Sequence, residues 1–79
     1  MTRSDKLLET ARNNPAGLRF DDFKTLLHRL GWTPDRQEGS HLIWYSPKGS
    51  RLPIQEGRSG KAKPYQVKQF LTIHQRENP

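Results

Sequence analysis

Apolar residues in this chain recur at helical spacing up to Leu30 and at strand spacing from Leu42 onward, and that switch of period constrains the fold most. Before it, Phe20, Phe23, Leu26, Leu27 and Leu30 fall on one face of a helix predicted from about Asp21 to Leu30. Asp21 or Asp22 is expected to cap its start, and Gly31 stands where a left-handed residue would end it. After it, "HLIWY" places Leu42 and Trp44 on one strand face and His41, Ile43 and Tyr45 on the other. "SPKGS" reads as a turn, and "RLPIQ" as a strand with Leu52 and Ile54 opposite Arg51, Pro53 and Gln55. "WTPDRQE" contains Pro34, which cannot donate to a sheet ladder, so a strand there is short or at an edge.

Helices flank this meander. "SDKLLETARNN" carries Leu7, Leu8 and Ala11 on one stripe, with Ser4 as the expected N-cap, and "NNPAG" breaks it. "PYQVKQFLTIHQR" carries Val67, Phe70, Leu71 and His74 at helical spacing, with Pro64 in the first turn. The predicted order is α-α-β-β-β-α: an α+β fold in which helices cover one face of a three-stranded antiparallel sheet. The free face and its loops are left for function.

At 79 residues the chain is expected to form a single domain over 1–79, with a thin core drawn from the 30% of residues that are apolar. It has no cysteine to make a disulfide or a thiolate metal site. No apolar run approaches the length of a membrane span, and the N-terminus lacks the pattern of a signal peptide, so a cytoplasmic protein is the expectation.

The net charge of +6 is unevenly placed. From Lys48 to Arg76, Lys48, Arg51, Arg58, Lys61, Lys63, Lys68 and Arg76 stand against Glu56 alone. Such a local excess attracts polyanions such as nucleic acid, although a basic surface kept for solubility would have the same composition. Motifs for phosphate loops, nucleophile elbows and zinc peptidases are absent, and His28, His41 and His74 lie on different elements, so neither a metal nor a cofactor is expected.

RNA cleavage remains open to such a chain. The 2′-hydroxyl is a nucleophile already in the substrate, so the protein need supply only a proton-exchanging group and cations for the phosphate. Histidine exchanges protons near neutrality. His28 sits within a helical packing run, and His74 continues the apolar stripe of the last helix. His41 follows a flexible Gly39-Ser40 and faces away from Leu42 and Trp44. Position alone still favours a surface histidine at the start of a strand.

The run "LLHRLGWTPDRQEGSHLIWYSPKGSRLPI", followed by a basic loop and a closing helix, resembles the HicA family of bacterial toxins. Arg36, Gln37, Gly39, Ser40, His41, Pro47 and Gly49 stand in places that match the family pattern, and the likeness covers residues 20–75. It implies a fold like the double-stranded RNA-binding domain, and a metal-independent endoribonuclease that cleaves messenger RNA. It also implies a HicB-type antitoxin as partner and His41 as the catalytic general acid or base. On that reading Arg36, Ser40, Lys48, Arg51, Arg58, Lys61 and Lys63 are candidate RNA-binding residues, the loop cations foremost. Trp44 or Tyr45 is available to stack a base.

The sequence departs from the family in two places. Many members have a proline and a second histidine just after the third strand; here the proline is Pro53, inside the strand, and no histidine follows. Residues 1–18 form an extra N-terminal helical segment, placed either on the open side of the domain or against the antitoxin. Two other readings use the same basic face: a non-catalytic RNA-binding module, and a domain that binds an acidic protein.

Overall fold

A computed structural model describes residues 2–79. Helix α1 (Arg3–Asn13) starts with a capping box in which the Asp5 amide donates to the Thr2 hydroxyl at 3.1 Å and the Thr2 amide donates to Asp5 at 3.2 Å. Thr2, not Ser4, is therefore the N-cap. Only the three-residue spacing from Thr2 to Asp5 satisfies two orphan amides reciprocally. Asn14 and a short 3-10 turn at Pro15–Gly17 end the helix.

Helix α2 (Phe20–Arg29) has Arg19 at its cap position and no side-chain cap. The expected capping by Asp21 or Asp22 does not occur, because both already lie inside the first turn. There they complement the helix dipole, and Asp22 also pairs with Arg3 of α1 at 3.2 Å. Gly31 ends α2 with φ +88°, and the Trp32 amide donates back to the Leu27 carbonyl at 3.0 Å. This turns Trp32 into the core.

Strands β1 (Thr33–Glu38), β2 (His41–Tyr45) and β3 (Arg51–Ile54) form an antiparallel meander in spatial order β1-β2-β3. The fold is α+β in the expected element order. β1 is an edge strand with all six residues exposed, and its register shifts between Pro34 and Arg36. Trp44, Leu52 and Ile54 join the helix-side core, with Leu42 packed against it, as strand alternation requires. Ile43 points to the other face yet is only 1% exposed. It lies between Arg36 and Pro53 in the ladders, beneath the long polar side chains of that face.

Helix α3 (Pro64–Glu77) closes the fold. Its buried residues are Gln66, Val67, Phe70 and Ile73, so the stripe is rotated from the predicted one, and Leu71 and His74 lie at its margin, half-buried. Phe70 is central. Its ring centroid is 5.7 Å from each of Phe23, Trp32 and His74. The extra N-terminal segment packs on α2 and α3, and its Leu7, Ala11 and Leu18 enter the same hydrophobic cluster. The Ala62 amide then donates to the Leu18 carbonyl at 2.8 Å, joining the segments that precede α2 and α3. No helix among the described residues is long and apolar enough to cross a membrane.

Candidate active site

The β1–β2 connection is a two-residue turn, Gly39-Ser40, between the facing pair Glu38 and His41. Gly39 has φ +61° with open space around its α-carbon, so backbone conformation and not crowding demands glycine there. The Gln37 amide donates to the Gly39 carbonyl at 2.9 Å and braces the turn. His41, half-buried, shares with Glu38, Ile43, Arg51 and Pro53 a shallow cavity of about 220 Å³ on the helix-free face.

Two of the candidate cations converge beside His41. Arg36 places Nε and Nη2 each 2.9 Å from Glu38 Oε2, and Arg51 Nη2 lies 3.2 Å from Glu38 Oε1. The network crosses from β1 to β3 over Ile43, which explains why that residue is covered on a face without helices. Each partner is about half exposed, so the pairs add little to stability. Their effect is geometric: two guanidinium groups are held around one anion next to His41.

Ser40 is fixed from the other side. Gln55, just past β3, donates from Nε2 to the Ser40 hydroxyl at 2.7 Å and accepts from Lys63 Nζ at 3.0 Å. Its backbone amide donates to Gln66 Oε1 at 2.8 Å. Gln66, only 2% exposed in the helix stripe, is thus a buried amide whose oxygen serves the strand exit. Ser40, Lys63 and the start of α3 form one connected unit.

The remaining candidates lie elsewhere. Lys48 sits in the β2–β3 turn, beyond the opposite end of β2 from His41, and donates to the Glu77 carbonyl at 3.1 Å. Glu77 also accepts from Ser46 at 2.8 Å and Ser50 at 2.5 Å, which pins that turn to the end of α3. These hydroxyls hold the Glu77 carboxyl below its usual pKa. Arg58, Lys61 and Lys63 line a groove of about 690 Å³ with Ala16 and Pro64, where Ser59 takes φ +56°. Lys63, through Gln55, links this groove to the His41 turn. Trp44 is core, whereas Tyr45 is partly exposed.

His28 is exposed on α2, and His74 stacks on Phe70, where desolvation and nearby Arg12 lower its pKa. Sequence reasoning missed Glu38, Gln55 and Gln66. Glu38 was detectable as the residue facing His41 across a two-residue turn. A glutamine after a strand and another within an apolar helix stripe give no such signal.

A small basic α+β domain with a histidine, two arginines and a carboxylate gathered on its helix-free sheet face is thus defined. Residues 20–75 match the family described as the HicA toxin of bacterial toxin-antitoxin systems, and the chain belongs to that family. None of the curated proteins and none of the solved structures compared gives a significant match. Family membership supports a toxin role within a toxin-antitoxin pair.

Proposed function

We propose that this chain is a metal-independent endoribonuclease toxin that cleaves messenger RNA, with His41 as a general acid or base. The observation that carries the reading is the placement of His41 in a cavity beside Arg51 and the Arg36–Glu38 pair. A titratable ring next to converged guanidinium groups meets the need of phosphodiester transesterification: proton exchange, and positive charge where the phosphorane forms. The groove lined by Arg58, Lys61 and Lys63 continues the cationic surface through the Lys63–Gln55–Ser40 hydrogen bonds, so the RNA backbone runs from that loop toward His41. The fold like a double-stranded RNA-binding domain that the family resemblance implies belongs to the same reading, since such domains hold RNA by its phosphates and 2′-hydroxyls. The partner is an antitoxin of the HicB type, covering the His41 face.

The test is cleavage of a labelled messenger RNA in the presence of chelator by the wild type and by His41→Ala. The wild type cuts; the variant folds, binds RNA and does not cut. Full cleavage by the folded variant removes His41 from the chemistry. RNA binding without shortened products from the wild type identifies a non-catalytic binding module instead.

A further inference from the structure

Cleavage through the 2′-hydroxyl moves two protons: one leaves the attacking oxygen and one must reach the departing 5′-oxygen. A single histidine can serve both steps only in turn, and none of the other histidines is near. His28 is on α2 and His74 is packed on Phe70 at the far helix end. The group that faces His41 is Glu38.

We infer that Glu38 is the general base of the cleavage site and His41 its general acid; this rests on the endoribonuclease reading above. The two residues are register partners across the Gly39-Ser40 turn, and such cross-strand pairs hold their β-carbons about 5 Å apart. Both line the same cavity, so both side chains reach one phosphodiester. The charged and titratable groups facing Glu38 are Arg36 from its own strand, His41 from β2 and Arg51 from β3. The arginines therefore do two things. They hold the carboxylate in place, and they present N–H groups to a phosphate arriving beside it, since guanidinium forks bind carboxylate and phosphate alike.

The step balances without any further reactant. The Glu38 carboxylate takes the proton of the 2′-hydroxyl, and the 2′-oxygen bonds to phosphorus. The bond from phosphorus to the 5′-oxygen breaks, and that oxygen takes a proton from the His41 imidazolium. The products are a 2′,3′-cyclic phosphate and a free 5′-hydroxyl. Exchange with water restores the Glu38 carboxylate and the His41 imidazolium.

The competing role for Glu38 is that of a surface counter-ion which keeps Arg36 and Arg51 apart from RNA. The two roles predict opposite results for Glu38→Gln, whose amide keeps the shape of the carboxylate but takes no proton. As general base, Glu38→Gln lowers the cleavage rate by about 10²–10⁴-fold with RNA binding retained. As counter-ion, it leaves cleavage unchanged or faster.

The deciding experiment compares wild type, Glu38→Gln, Glu38→Asp and His41→Ala on ordinary RNA and on RNA with one 5′-bridging sulfur. Melting curves establish that each variant is folded. A thiolate leaves without protonation, so the sulfur substrate restores cleavage to His41→Ala but not to Glu38→Gln. Glu38→Asp, which keeps a carboxylate, recovers part of the activity that Glu38→Gln loses. Cleavage of ordinary RNA by Glu38→Gln at the wild-type rate, or its rescue by sulfur, overturns the assignment while leaving the ribonuclease reading intact. A wild type that cuts neither substrate overturns both.

Discussion

The Gln55 side-chain amide donates to the Ser40 hydroxyl across 2.7 Å, tying the exit of the third strand to the turn that bears His41. Because the same amide accepts from Lys63, the position of His41 depends on a residue fifteen positions beyond Ser40 and, through it, on the basic loop. Gln55→Ala is expected to slow RNA cleavage about tenfold, equivalent to about 1.4 kcal/mol in the barrier. Its cost in stability is about 0.5–1.5 kcal/mol, since the Ser40 contact is exposed. Single-turnover rates set beside urea midpoints measure the two effects separately.

The loop cations answer to salt. If Arg58, Lys61 and Lys63 each neutralise one phosphate, replacing all three with alanine flattens the plot of log affinity against log salt by about 2 for single-stranded RNA. Lys48→Ala, remote from His41 and engaged with the end of α3, leaves that slope unchanged. Fluorescence titrations at several salt concentrations read both.

Acid should unfold this protein through three groups that act in the same direction. His74 has its pKa lowered by burial and then by Arg12, so the unfolded chain holds that proton more tightly. Its contribution turns unfavourable as pH falls below 6.5 and is fully unfavourable below the folded value. Glu77, lowered by its bonds to the serine hydroxyls, stabilises the fold above pH 4.5 and ceases to as pH falls through its folded value. Asp5, lowered by its Thr2 bonds, does the same below 3.8. Melting temperature is therefore expected to drop in successive stages between pH 7 and pH 3. His74→Phe, which keeps the stacking on Phe70, should remove the first stage.

Residues 1–18 contribute to the core. Leu18 is 1% exposed and packs in the cluster that joins α1 to α3. Leu18→Ala is expected to cost about 2–5 kcal/mol, a large part of the 5–15 kcal/mol typical of a whole domain. Denaturant titration of the purified variant checks the figure.

The sequence carried some of these features openly and hid others for physical reasons. Helix α2 was legible because Phe20, Phe23, Leu26, Leu27 and Leu30 admit one helical face and Gly31 one kind of ending. The phase of α3 was not. Positions 67, 70, 71 and 74 form as regular a stripe as 66, 67, 70 and 73, and a polar Gln66 argued against the true one. Gln66 is inside because the Gln55 amide at the strand exit needs an acceptor. Ile43 misleads in the opposite way: alternation puts it on the open face, where its ladder partner Pro53 and the Arg36–Glu38–Arg51 network surround it. The His41 turn was readable from Gly39-Ser40 and from family likeness, but its supports come from β3 and α3, which pattern alone could not bring to it.

The hydrogen bond from Ala62 to Leu18 bears on the order in which the protein comes into being. The α2 helix and the two hairpins form from neighbouring stretches of chain, whereas the Leu18–Ala62 junction closes most of the molecule's length into a loop and must wait for its second half. Phe23 has no Phe70 to meet until α3 exists, and Gln55 has neither Lys63 nor Gln66. During synthesis the His41 turn therefore has its local brace from Gln37 before Gln55, Lys63 and Gln66 can support it from the far side. The fully supported turn is complete only after α3 has left the ribosome and docked.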